Sequence, residues 1–304
     1  MTRREFLTRT AASGVAFATG CAAVRPEPTC DLVRLQAEID DVPAEDYLRY
    51  LRDEGDAASL MARYPALARV DAAMDAVLDG IRRTEVGERP AVWYVYNMGV
   101  VVKTRESLFS IDLCHRRAEE LAPLLDFAVI THNHDDHFTR RFYERMDGAL
   151  HKTVITNFAD NYGAAFNRAT CGFARGERVF KLKDVTVRTM ESDHNRFLRG
   201  FTMPVEVTVG GYSILHVGDT VNSQDLKPSR TPDLWVHHAY CWDLVSGPGA
   251  AALKPKLSVV AHLQELSHPK GRARWTFEDG RKAVAAVEAE GCRATLPLWG
   301  DRIF

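Results

Sequence analysis

The chain has 304 residues, 46% of them hydrophobic and 9% aromatic, enough to bury a sizeable core as one large domain with an extension or as two small domains. Its 39 Lys and Arg against 41 Asp and Glu leave a net charge of -2 with no basic block or stripe, which argues against nucleic acid as a partner. Beyond the first residues no segment is long and apolar enough to cross a bilayer, which takes about 20 residues.

In chain order, MTRREFLTRTAASGVAFATGCAA reads first, as an export signal over residues 1–21. Arg3 and Arg4, followed by Phe6 and Leu7, resemble the recognition segment of the Tat pathway, which carries folded proteins. The apolar run from Ala11 to Gly20 is about 10 residues, too short to span. It ends in ATGC, which resembles a lipobox with Cys21 as lipid acceptor, although Ala18 stands where that motif usually has Leu. The expected location is the periplasm, with membrane association only through a lipid on Cys21. Leaving Cys21 aside, Cys30, Cys114, Cys171, Cys241 and Cys292 have no CxxC spacing, so no disulfide is assigned and mostly buried thiols are expected.

A helical section follows over residues 31–87. In PALARVDAAMDAVLDGIRR the residues Leu67, Val70, Met74, Val77, Leu78 and Ile81 recur at helical spacing and predict one apolar face. This section could cap a site or only cover a sheet edge. From Ala91 the period changes to that of strands: AVWYVYNMGVVVKTRESLFSID turns at Asn97 and Gly99 and again at KTRES. DVTVRTM, VEVTVGGYSILHV with a Gly210-Gly211 turn, DLWVHHA and LSVVAH are further strands, and TFEDGRKAVAAVEAEG is a late helix capped by Thr276 and stopped by Gly291. Strands with interspersed helices predict a mixed α/β layered domain over residues 88–304.

The chemistry concentrates in THNHDDHF, which leaves the apolar run LDFAVI. Loops at a strand's carboxyl end are where rigid scaffolds present reactive groups. His132 and His134, two apart, point to one side in extended backbone, and Asp136 and His137 follow where the chain turns. Imidazole nitrogen and carboxylate oxygen are borderline ligands suited to Zn²⁺ and its divalent neighbours. A single histidine is usually a satisfied core residue; three at these offsets with an aspartate are poorly served by that reading.

This H-x-H-x-D-H resembles the signature of the metallo-β-lactamase superfamily, over roughly Ala91 to Phe304. The resemblance implies an α/β, four-layer αβ/βα sandwich preceded by the helical section. It implies further ligands after later strands: His194 in VTVRTMESDHN, Asp219 in SILHVGDT, and His262 in PKLSVVAHLQELSH, with His268 as the alternative for the last. On that pattern His132, His134 and His194 hold one divalent ion, and Asp136, His137 and His262 the other, with Asp219 spanning both. Zn²⁺ is expected, Mn²⁺ or Fe being alternatives. The implied activity is hydrolysis of an ester, lactone or phosphodiester bond in a small-molecule or lipid-like substrate by a metal-bridging hydroxide, with Asp136 and Asp219 as catalytic residues. Asp112 resembles a structural aspartate supporting the motif loop, Asp135 is expected to face solvent or orient a histidine, and His237 and His238 to support ligands or lie on a strand surface.

Asp219 speaks against the antibiotic-hydrolysing branches, which use other residues there, and His134 against flavodiiron oxidoreductases, which carry Glu. Thr139 stands where the glyoxalase II type usually has Gly. HNHDDHF is closer to lactonase-like and N-acylphosphatidylethanolamine phospholipase D-like branches. A catalytically idle metal-containing scaffold lipoprotein and an iron redox protein are the alternative functions.

Overall fold

The computed structural model describes residues 29–158, 160–161, 164–165, 171–239 and 242–304. The expected export signal with Arg3, Arg4 and Cys21, as well as Cys241, lies outside the described residues.

Four helices come first: α1 (Thr29–Asp40), α2 (Ala44–Arg52), α3 (Ala57–Arg63) and α4 (Pro65–Arg83). Pro65 opens α4, where its missing N–H would have had no helical partner anyway and its fixed φ suits the first turn. All six residues predicted to form the apolar face of α4 are buried. The β-structure then divides into two large sheets. The first runs β1 (Ala91–Tyr96), β2 (Gly99–Lys103), β3 (Leu108–Ile111), β4 (Phe127–Val129), β5 (Thr153–Thr156) and, after the short pair β6 (Asp160–Asn161) and β7 (Ala164–Ala165), β8 (Cys171–Phe173). A short helix, α5 (Arg140–Tyr143), separates β4 from β5. The second sheet takes β9 (Val179–Leu182), β10 (Val185–Thr189), β11 (Val205–Val209), β12 (Tyr212–His216), β13 (Leu234–His238), β14 (Ser258–Ala261) and β15 (Ala294–Thr295) in sequence order. In both sheets the early strands pair antiparallel and the later ones parallel.

Strand periodicity of two explains how the layers form, because successive side chains leave opposite faces of a sheet. Val92, Tyr94, Val100, Val102, Phe109, Ile111, Phe127 and Val129 meet Val187, Val205, Val207, Ile214, Val236 and Val259 of the second sheet in one core. There the rings of Phe109 and Phe127 stack with centroids 4.5 Å apart. The alternate residues Ala91, Trp93, Val95, Val101 and Ala128 pack instead against the first helices, among them Leu67, Val70, Met74 and Val77 of α4. On the far side, Leu215, Val217 and Trp235 pack on the layer of α6 (Gly247–Leu253) and α7 (Phe277–Ala289), through Val245, Ala250, Leu253 and Val287. The order of layers is therefore helices, sheet, sheet, helices. α1 to α4 cover a face of the first sheet rather than only its edge, and share its core. Each Leu, Val or Phe buried in this way contributes about 1.5–3 kcal/mol relative to exposure.

Thr276 caps α7 as expected, with a reciprocal box in which its hydroxyl accepts from the Asp279 N–H and Asp279 accepts from the Thr276 N–H. Gly291, at φ +75°, follows the end of that helix. Among the described residues Cys114 is a buried free thiol and Cys292 a partly buried one, and no described helix is long and apolar enough to cross a membrane.

Candidate metal centre

The parallel strands β3, β4, β12 and β14 all deliver residues to one place just beyond their carboxyl ends. β3 delivers Asp112, fully buried and held at φ +50°. Its carboxylate accepts from the Thr131 N–H and hydroxyl, both at 2.7 Å, and from His137 Nδ1 at 2.8 Å. These bonds tie the motif loop after β4 to the neighbouring strand and fix the His137 ring with Nε2 pointing away. β12 delivers Asp219 through Gly218, whose φ is +55° and where an added Cβ would lie 2.5 Å from Thr131 Oγ1. The glycine of the G-D pair is thus required by both its conformation and the close passage of the motif loop. His262 follows β14 directly at φ +54°, and its N–H donates to the Asn97 carbonyl at 2.9 Å.

All seven predicted ligands come together. One group comprises His132, His134, His194 and Asp219, and the other Asp136, His137, Asp219 and His262, the ligand atoms of each lying within 4.8 Å of one another. Asp219 belongs to both groups. Its Oδ2 lies 3.4 Å from His194 Nε2, 3.8 Å from His132 Nε2 and 3.3 Å from His262 Nε2, while Oδ1 lies 3.1 Å from His137 Nε2. Asp136 Oδ2 lies 3.2 Å from His262 Nε2 and 3.7 Å from His137 Nε2. His268 is in neither group; with Glu265 and Asp136 it makes a third.

Two observations bear on whether these residues fit metal ions. The buried atoms His137 Nε2, His194 Nε2, His262 Nε2 and Asp219 Oδ1 have no hydrogen-bond partner, although unpaired buried polar atoms are costly and rare in folded chains. All four belong to residues of the two ligand groups. The electrostatics agree: burial, followed by the His137 charge, holds His132 well below the usual histidine range, and burial takes His134 down to about 4. Burial would also depress His262 and His137, but Asp219 and Asp136 outweigh it, raising His262 to about 10 and His137 well above its ordinary value. Two buried carboxylates thus need positive charge beside them. Divalent cations would supply it in place of protons, and the donor set fits them.

No protein-family model and no curated protein sequence matches the chain. Solved structures do. Igni18, described as a novel metallo hydrolase from the archaeon Ignicoccus hospitalis, superposes with a TM-score of 0.55 at 16% identity, covering 70% of this chain and 97% of its own. A possible metal-dependent hydrolase from Veillonella parvula gives 0.55 at 15% identity, covering 70% and 98%. The metallo-β-lactamase fold protein YhfI from Bacillus subtilis gives 0.51 at 14% identity, again covering 70% and 98%. The chain has the metallo-β-lactamase fold. Such distant likeness carries the architecture, and the chemistry must be argued from the residues.

Other expectations resolve individually. Asp135 is exposed, between the partly buried His134 and the buried Asp136. His237 and His238 are fully buried, so neither lies on a strand surface. Alternation along β13 separates them. His237 stacks on Trp235 with centroids 4.0 Å apart and bonds Ser258 Oγ at 2.7 Å, within the outer core. His238 bonds the carbonyl of Thr220, the residue after Asp219, and so supports the ligand loop.

Three contributors escaped the sequence reading. Asn97, read there only as a turn residue, donates from Nδ2 to the Asp136 carbonyl at 2.9 Å and to Asp136 Oδ2 at 3.1 Å. The available signal was an Asn at a turn, a residue that tolerates the left-handed conformation it takes here, φ +53°. Phe201 packs its ring against His134, His132 and His194, at centroid distances of 5.1, 5.6 and 6.0 Å. Arg274, only 5% exposed, donates to the carbonyls of Ile39, Val42, Leu266 and His268, fastening the loop after His262 to the junction of α1 and α2. Nothing local in the sequence distinguishes it from a surface arginine.

Proposed function

We propose that the protein is a metal-dependent hydrolase that carries two divalent ions, zinc foremost, and cleaves an ester, lactone or phosphodiester bond in a small-molecule or lipid-like substrate. The observation that carries this reading is Asp219: one buried carboxylate belongs to both ligand groups, with Oδ2 within 3.8 Å of His132, His194 and His262 and Oδ1 at 3.1 Å from His137. His132, His134 and His194 would hold one ion and Asp136, His137 and His262 the other, with Asp219 shared. When bound, the pair supplies Lewis-acid activation of water near neutral pH and of the oxygen on which charge develops.

The chain's own residues do the rest. Asp112 holds the Nδ1 of His137, which fixes the tautomer and leaves Nε2 as the ligand atom. Asn97 holds Asp136 by backbone and side chain, so that its remaining oxygen can orient the attacking water. Phe201 packs on one side of His132, His134 and His194, restricting their rings to one orientation. Preorganisation of this kind removes the reorganisation that free water and side chains would otherwise need.

Metal analysis of the loaded protein should find close to two ions per chain. A panel of lactones, carboxylic esters, phosphodiesters and a β-lactam should reveal turnover that chelation abolishes. A well-folded sample that saturates at one ion would defeat the binuclear assignment, and no turnover across the panel would defeat the hydrolase. We also propose export of the folded enzyme, with residues 1–21 as signal and residues 88–304 as the catalytic domain under the helical cover of residues 31–87. Replacing Arg3 and Arg4 by lysine should leave precursor inside the cell, and Cys21→Ser should abolish membrane association; unchanged exported, membrane-bound product would sink both.

A further inference from the structure

Beside the ligand cluster lies a second group of chemistry-bearing side chains that the assignment above does not use. Glu265 is fully buried, three residues beyond His262, and its carboxylate is bonded within its own loop. Oε1 accepts from the Ser267 N–H at 2.9 Å; Oε2 accepts from the Ser267 hydroxyl at 2.7 Å, from the His268 N–H at 3.1 Å and from His268 Nδ1. The His268 side chain is 39% exposed, and a ring nitrogen lies within 4.8 Å of both a Glu265 and an Asp136 carboxylate oxygen. The loop is braced from behind: Tyr96 Oη accepts from the Leu266 N–H at 2.6 Å, and Arg274 Nε donates to the His268 carbonyl at 2.8 Å. His268 is therefore an imidazole whose Nδ1 is fixed by a buried carboxylate, whose backbone is clamped at both its N–H and its carbonyl, and whose other face is open to solvent beside Asp136.

A carboxylate that fixes one imidazole nitrogen leaves the other as the atom that works, in one tautomer and one orientation. A third metal ion is the competing use of Asp136, Glu265 and His268. It would have to compete with the bonds that the Glu265 oxygens already accept from Ser267 and His268, the one from His268 Nδ1 among them, whereas a proton-transfer role keeps all four. We propose that His268, oriented by Glu265, is the group that protonates the leaving atom of the substrate. This rests on the hydrolase reading. As water adds to the electrophilic centre, the bond from that centre to the leaving oxygen breaks and its electron pair stays on the oxygen. Nε2–H of the His268 imidazolium gives that oxygen its proton and leaves the neutral ring with its proton on Nδ1; the ring then takes one back from solvent, which has received the proton lost by the attacking water. Water is consumed and an acid and an alcohol result.

The test uses His268→Gln and the isosteric Glu265→Gln in the full, metal-loaded chain, on paired substrates that differ only in the leaving group. Suitable pairs are 4-nitrophenyl against ethyl butyrate, and methyl 4-nitrophenyl against methyl phenyl phosphate. Nitrophenolate departs without a proton, so both variants should keep kcat/KM on the nitrophenyl member within about threefold. On the poor leaving group His268→Gln should lose roughly 10²–10³-fold, the usual contribution of general acid catalysis. Both variants should bind as much metal as the parent. ¹H–¹⁵N spectra of the parent's imidazoles should show His268 protonated on Nδ1, a signature that Glu265→Gln weakens. Equal losses on both members of a pair would make His268 structural, and loss of an ion in His268→Gln would make it a ligand; either overturns the proposal. Failure of the parent protein to turn over any member would overturn the hydrolase reading itself, and this proposal with it.

Discussion

Arg274→Met removes a guanidinium that joins the helical cover to the loop carrying Glu265 and His268, while keeping much of the side chain's length. Four carbonyls lose a charge-assisted donor: His268 at 2.8 Å, Val42 and Leu266 at 2.9 Å and Ile39 at 3.2 Å. The Ile39 carbonyl keeps the Val42 N–H as a donor at 3.1 Å, but Val42 and Leu266 are buried residues, so water does not readily replace the donor at their carbonyls. An unsatisfied buried acceptor costs about 1–3 kcal/mol, and the loop's ability to relax toward solvent at His268 keeps the sum for these two near the lower bound, about 2 kcal/mol. Burial depresses the Arg274 charge, so part of the gross attraction has already been cancelled by desolvation and the estimate cannot be scaled to four full ionic bonds. At roughly 2–4 °C per kcal/mol for a chain of this size class, calorimetry should show Tm lower by about 4–8 °C. Hydrogen exchange should also rise at the amides of Leu266 and His268. Arg34→Met is the control: its side chain is 78% exposed and pairs with Glu38 one turn on, which is worth under about 1 kcal/mol. A Tm within about 2 °C of the parent for Arg274→Met, or an equal loss in Arg34→Met, would refute the reasoning.

Asp112→Asn keeps the shape but not the charge that fixes His137, and should weaken metal affinity by about 10–100-fold in competition titrations, as loss of a ligand's supporting carboxylate does elsewhere; unchanged affinity would remove Asp112 from that role. His262→Ala should bind one ion fewer, while His268→Ala should keep the full complement, measured by metal analysis after dialysis; the reverse result would move the ligand to His268. Metal uptake should release protons. His262, raised to about 10 in the metal-free fold, is protonated at pH 7 and must give up that proton to ligate, so calorimetric titration with Zn²⁺ in buffers of different ionisation enthalpy should show at least one proton leaving per chain near pH 7. Affinity should accordingly rise with pH until the histidine has deprotonated, and binding with no proton release at pH 7 would contradict the shift. Asp219→Ala should lose both metal and turnover, and Asp136→Asn should keep at least one ion yet lose turnover by several orders of magnitude; near-normal rates in both would mean that the cluster is not the catalytic centre.

What the sequence determined by itself was whatever is written in short spacings. The period of α4, the Gly210-Gly211 turn, the Thr276 cap and the compact H-x-H-x-D-H are local, because each depends on residues within one or two turns of backbone. Asp219 was legible through the family's Gly-Asp pair at a strand end, which by itself is commonly only a turn. His194 and His262 were legible as ligands only by family pattern, since nothing in their own surroundings separates them from other histidines after strands. The tertiary structure decided the rest. It sent His237 and His238 to opposite faces of β13, a difference that alternation implies but whose direction depends on which face meets the outer helices. Asn97 and Phe201 are brought to the cluster by the closing of two sheets, and no sequence spacing relates them to it. The most distant case is Arg274: its partners Ile39 and Val42 lie 235 and 232 residues away along the chain. A buried charge is tolerable only where such partners surround it, and which carbonyls those are is fixed by packing, not by any pattern within reach of one strand or helix.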